Sequence, residues 1–115
     1  MISDSLLLDT CVLLWLAHAD PRLSESCVRE VENAASRQRV YLSVMSLWEL
    51  GYLVKKNAIH LKIPLREFWA NCLEILCAKE ISLSAEIVHA FHELPQSFHP
   101  DPGDRFIVAT ALKKK

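Results

Sequence analysis

The sequence predicts an α/β domain in which helices flank a parallel sheet, and three observations carry that prediction. Strand-like runs alternate with longer stretches at helical spacing. The first run ends in a leucine triplet with no period-2 alternation, as a strand covered on both faces does. The pattern of strand, tight turn and helix then occurs a second time, which implies right-handed crossovers between parallel strands.

The first strand is read over Ser5–Asp9 and a short helix over Thr10–His18, with Val12, Leu13, Trp15 and Leu16 at helical spacing and Asp20-Pro21 as the stop. Ser24 is an N-cap for a second helix that turns Val28, Val31 and Ala35 inward and ends near Arg37. Val40–Ser43 is the second strand, and from Ser46 the positions Leu47, Leu50, Leu53 and Val54 follow a helical period. Asn57 and Ile59–Pro64 form a loop, Leu65–Cys77 a fourth helix, and Glu80–Leu83 a third strand. Ser84 caps a helix ending near Leu94, and a Pro-rich loop leads into a final buried helix over Asp104–Lys113.

At 115 residues the chain is expected to be one domain, 1–115, able to bury roughly two-thirds of its unfolded surface. Hydrophobic residues at 51% and charged residues at 23% exclude a disordered chain. The apolar stretches Leu6–Leu8 and Cys11–Ala17, split by Asp9, fall short of the ~20 residues that cross a bilayer. With no secretion signal, a cytoplasmic protein away from membranes is the expectation. Cys11, Cys27, Cys72 and Cys77 form no Cys-x-x-Cys pair and are read as reduced, mostly core residues. A net charge of -1 supplies no global field for a polyanion, so a nucleic-acid partner would need local patches and metal.

Ligands of open parallel sheets bind beyond the carboxyl ends of the strands, which makes the acids there the first functional candidates. Each also has a structural reading. Asp9 suits a cap of the next helix, Ser46-Leu47-Trp48-Glu49 fits a capping box, and Asp101-Pro102-Gly103-Asp104 fits an N-cap, Pro at N1 and an acid facing the helix dipole. The coincidence weighs against capping alone, because three helix starts present a carboxylate on what should be one rim. Like charges gathered there repel unless a cation neutralises them. Hard oxygen ligands without a Cys/His set favour Mg²⁺ or Mn²⁺, which suit phosphodiester hydrolysis.

Leu6-Leu7-Leu8-Asp9-Thr10, Ser43-Val44-Met45-Ser46-Leu47-Trp48-Glu49-Leu50 and Asp101-Pro102-Gly103-Asp104-Arg105-Phe106-Ile107-Val108-Ala109-Thr110-Ala111 together resemble a PIN domain, and within that family the VapC-type toxins of bacterial toxin–antitoxin pairs. The resemblance covers nearly the whole chain and implies a three-layer PIN-like fold. It also implies a Mg²⁺/Mn²⁺-dependent endoribonuclease with an RNA substrate, a homodimer, and a cognate antitoxin that inserts a segment near the acidic pocket. By motif position Asp9, Glu49 and Asp104 match the family's metal-binding acids, Asp101 an acid of one subgroup, and Thr10 and Ser46 the small hydroxyl residues beside the site.

The family continues past the last helix into a further strand bearing a fourth acid, whereas this sequence stops at Lys115. The expectation is therefore a fold without the family's last strand or strands and a site with three principal acids. It leaves the Leu6–Leu8 strand as an apolar edge open to pairing with another copy. A shortened, catalytically impaired fold that dimerises and binds an antitoxin is the alternative from another class. A phosphatase with Asp9 as nucleophile needs a second Asp where Cys11 stands.

Among other features, His89 and His92 read as a solvated helix face rather than zinc ligands, and His99 as a loop residue within reach of the pocket. Trp15, Trp48 and Trp69 suit core or dimer contacts, with RNA stacking as the other reading. Arg105 suits phosphate or a neighbouring carboxylate. Lys55-Lys56 with Arg37 and Arg39 read either as solvated surface or as an RNA backbone contact.

Overall fold

A computed structural model describes residues 5–93. The elements run β1 (Leu6–Leu8), α1 (Thr10–Ala17), α2 (Glu25–Ser36), β2 (Val40–Ser43), α3 (Val44–Lys55), α4 (Leu65–Ile75), β3 (Lys79–Ile81) and α5 (Ala85–Glu93). The strands pair in parallel in the order β1-β2-β3, with Leu6 opposite Val40 and Leu42 opposite Glu80. Parallel neighbours require crossovers, and α1–α2 and α3–α4 supply them.

Alternation along the strands sorts their side chains into two cores. Leu8, Val40 and Leu42 face a cluster built from Leu13 of α1, Val31 and Ala34 of α2, Leu50 of α3, and Phe68, Trp69 and Cys72 of α4. Leu7 and Tyr41 point the other way, against Ile81 and against Ile87 and Ala90 of α5. The result is a three-layer α/β arrangement, as the unalternating leucine triplet predicts.

Local chemistry fixes most boundaries. Ser24 Oγ accepts from the Cys27 amide at 3.2 Å, and Ser84 Oγ accepts from the Ile87 amide at 3.2 Å, so both expected N-caps form. The third helix differs from the expectation. It starts at Val44 directly off β2, with Ser43 Oγ accepting from the Met45 amide at 3.1 Å. Ser46 therefore lies inside the first turn, and the capping box over Ser46–Glu49 does not form. The third strand begins one residue earlier than its Glu80 signal and ends at Ile81.

Four helices stop in the same way without glycine. Ala19, Gln38, Asn57 and Cys77 take positive φ, 50°, 58°, 59° and 49°, two residues beyond α1, α2, α3 and α4. Beyond α1, the Ala19 amide donates to Leu16 O and the Asp20 amide to Trp15 O, the paired bonds of a Schellman motif, and the other three repeat it. After α1, Arg22 grips Asp20 through two bonds at 3.1 and 2.7 Å, which pull the Asp20 carboxyl down to about 2. Gly51 lets α3 approach α4: a Cβ there would sit 3.3 Å from Leu65 Cδ2.

The cysteine expectation needs correction. Cys72 is buried, but Cys11, Cys27 and Cys77 are exposed, because each falls on the outer side of its segment. Trp48 is likewise exposed, which excludes the core half of its core-or-dimer-contact reading. Burial pushes the Cys72 thiol up to about 11, so it stays protonated and unreactive at neutral pH. Thiol labelling of the native chain should modify Cys11, Cys27 and Cys77 quickly and reach Cys72 only on unfolding. Rapid native labelling of Cys72 would contradict the packing of α4.

Candidate functional site

The carboxyl end of β1 and the first turns of α3 meet through a hydrogen bond. Thr10, the first residue of α1, is buried, and its Oγ1 donates to Glu49 Oε1 at 2.6 Å across 39 positions of sequence. The short O–H···O distance is that of a charge-assisted bond, which holds the half-buried Glu49 carboxylate in one orientation. Asp9 immediately precedes Thr10 and is exposed. Its Oδ1 accepts from the Val12 amide at 2.8 Å, so the expected cap of α1 forms, and it occupies one of two carboxylate oxygens.

Ser46, one turn before Glu49's neighbours Leu50 and Gly51, is wholly buried, and its Oγ has no hydrogen-bond partner among the described residues. A buried hydroxyl without a partner is costly. Thr10 and Ser46 are thus two buried hydroxyls just beyond adjacent strands, one with a partner among the described residues and one without.

Asp9, Thr10, Ser46 and Glu49 offer only oxygen donors, the chemistry that hard divalent cations prefer. Among the described residues no group of three or more His, Cys, Asp or Glu side chains is placed to hold a metal. Asp101, Asp104, Arg105 and His99 lie outside the described residues. Mg²⁺ and Mn²⁺ retain waters and need few protein carboxylates, so the donor set fits such an ion. His89 and His92 are exposed on α5, as the solvated-face reading expects.

An apolar groove of about 670 Å³ between α1, α2 and α4, lined by Leu13, Val31, Phe68 and Cys72 among others, includes none of the candidate site residues. Trp69 is buried and donates from Nε1 to Glu80 Oε1 at 2.7 Å, a core role that ties α4 to β3. Tyr52, which stacks on Trp48, carries no motif; its signal is the spacing of Trp48, Tyr52 and Lys56 at i, i+4 and i+8.

The two hydroxyls predict opposite outcomes in denaturant unfolding of the metal-free chain. Thr10→Val removes this one donor to Glu49 and should cost about 1.5–3 kcal/mol, the range for bonds to charged groups. Ser46→Ala removes an oxygen that the described residues leave unsatisfied and should be neutral or stabilising. Equal destabilisation by both would contradict the assignment.

A sequence model of the PIN domain family matches residues 6–115. The chain is 28% identical over 109 residues to "Ribonuclease VapC22" of Mycobacterium tuberculosis (strain ATCC 25618 / H37Rv), covering 95% of this chain and 80% of that protein. No solved structure gives a significant match.

Proposed function

The chain belongs to the PIN domain family, and from that premise we propose that it is a divalent-metal-dependent endoribonuclease, the toxin of a toxin–antitoxin pair. The observation that carries the reading is the Thr10–Glu49 bond, which ties the residue after Asp9 to one of the other candidate acids. Similarity to a protein named as a ribonuclease over most of both chains supports the substrate class. A homodimer, an antitoxin partner and a cytoplasmic location belong to the same proposal and rest on the resemblance to VapC-type toxins. No helix among the described residues is long and apolar enough to cross a membrane.

In this reading Asp9, Glu49 and Asp104 hold Mg²⁺ or Mn²⁺, Asp101 orients water or a second cation, and Arg105 meets phosphate. The cation supplies a more acidic bound water and offsets charge on the phosphoryl oxygens. Asp9 is steadied by the Val12 amide and Glu49 by the Thr10 hydroxyl, so neither carboxylate must be ordered when substrate arrives. Ser46 adds a hydroxyl whose bonding capacity nothing among the described residues uses.

Asp9→Asn separates capping from chemistry, because Asn caps helices as well as Asp but carries no charge. Its unfolding free energy should stay within about 0.5 kcal/mol of the parent. RNA cleavage should fall by more than about 100-fold, since losing even a supporting group around a metal costs 10–100-fold. Parent cleavage should also stop in excess chelator and return with Mn²⁺ or Mg²⁺. Cleavage that survives either treatment would end the proposal, and so would calorimetry showing that the parent binds neither cation.

A further inference from the structure

The outer face of α3 carries an aromatic pair that belongs to neither core cluster among the described residues. Trp48 and Tyr52 are 54% and 53% exposed, and their rings stack with centroids 5.8 Å apart and planes 5° from parallel. Lys56 Nζ lies 4.9 Å from the centre of the Tyr52 ring, and Lys55 beside it is exposed. The three residues form a ladder of ring, ring and cation at i, i+4 and i+8, about 12 Å long by the rise of a helix. Its Trp48 end adjoins Glu49, the carboxylate bonded to Thr10.

We infer that the Trp48–Tyr52 stack, with Lys56 at its end, is a base-stacking platform that leads single-stranded RNA toward the carboxylates. The inference rests on the ribonuclease reading and adds to it the form of RNA the chain takes. Flat aromatic faces bind unpaired bases of any sequence, and a cation beside them meets the phosphate backbone; this is the composition of single-strand binding surfaces. A helix needs no exposed tryptophan, and a local i, i+4 contact accounts for the pairing of the rings but not for their exposure.

A second copy of the chain fits the patch less well. Ile75 on α4 and Leu83 beyond β3 are the other large exposed apolar residues described, and neither belongs to the ladder. Two rings of about 150–250 Å² each fall short of the roughly 800 Å² per partner that a stable interface buries. A two-fold contact centred on the lysine end of the ladder would also bring like charges of the two copies together, whereas the lysines complement phosphate.

The test is binding of the full chain to a fluorescent single-stranded oligoribonucleotide of about 10 nucleotides, in excess chelator so that no cleavage intervenes. Trp48→Ala and Tyr52→Ala should each weaken binding about tenfold, and Trp48→Phe should restore most of the loss. Duplex RNA of the same sequence should bind parent and variants alike, and Lys56→Ala should flatten the salt dependence. With metal present, Trp48→Ala should raise KM with little change in kcat. Thermal melts confirm that these surface variants fold.

Binding by Trp48→Ala at the parent's affinity overturns the inference. So does a loss of binding accompanied by conversion of a dimer to monomer in sedimentation velocity, which would assign the face to a second copy. Cleavage that depends on Asp9 but is indifferent to Trp48 removes the platform alone. Ring-dependent binding without cleavage removes the nuclease reading and leaves the platform standing.

Discussion

The burial of β2 on both faces is the constraint from which the rest of the molecule follows. Val40 and Leu42 are wholly buried toward one layer of helices, and Tyr41 is turned toward α5 on the other. A strand enclosed in this way must have neighbours on both edges and cover on both sides, and parallel neighbours must be reached by helices. Once that arrangement is set, β1 and β2 deliver their carboxyl ends to the same side of the sheet, and Asp9, Thr10, Ser46 and Glu49 follow with no local instruction beyond their place just after a strand.

Capping and catalysis are often treated as competing explanations for an acid at a helix start, but at Asp9 they are compatible. The Val12 amide uses one oxygen and in doing so fixes the plane of the carboxylate. A residue that stabilises its helix by a bond of this kind is also preorganised, and the rigidity that serves the fold is the rigidity the proposed metal site needs. Glu49 shows the same economy through a different donor, since the Thr10 hydroxyl lies on a neighbouring element rather than on its own helix.

Much of this was legible in the residues, and the parts that were not share a cause. Val40–Ser43, the Ser24 and Ser84 caps and the two-sided cover of β1 depend on near neighbours or on strong periodicity, and the structure repeats them. The start of α3 is ambiguous in the sequence because Ser43 and Ser46 are both good cap residues, and the choice between them is made by β2 running without a break into the helix. The Trp69–Glu80 and Thr10–Glu49 bonds join residues 11 and 39 positions apart, and no local pattern encodes them. The exposure of Trp48 was hidden because hydrophobicity alone does not say on which side of α3 a tryptophan falls. Of the candidate site, Asp9, Thr10, Ser46 and Glu49 are described, while the Asp101–Arg105 motif lies beyond the described residues.

The helix ends leave a further mark on the chain. Each left-handed residue outside glycine stores strain of roughly 1 kcal/mol, because its Cβ crowds the following carbonyl. Ala19, Gln38, Asn57 and Cys77 adopt this conformation in turn, and the sequence contains only two glycines, neither of them at these positions. Asn57 tolerates it best, through its short polar side chain. The fold thus forgoes the cheapest available hardening, and natural or laboratory drift toward glycine at positions 19, 38 and 77 is a direction in which heat resistance lies open without touching the sheet or the acids.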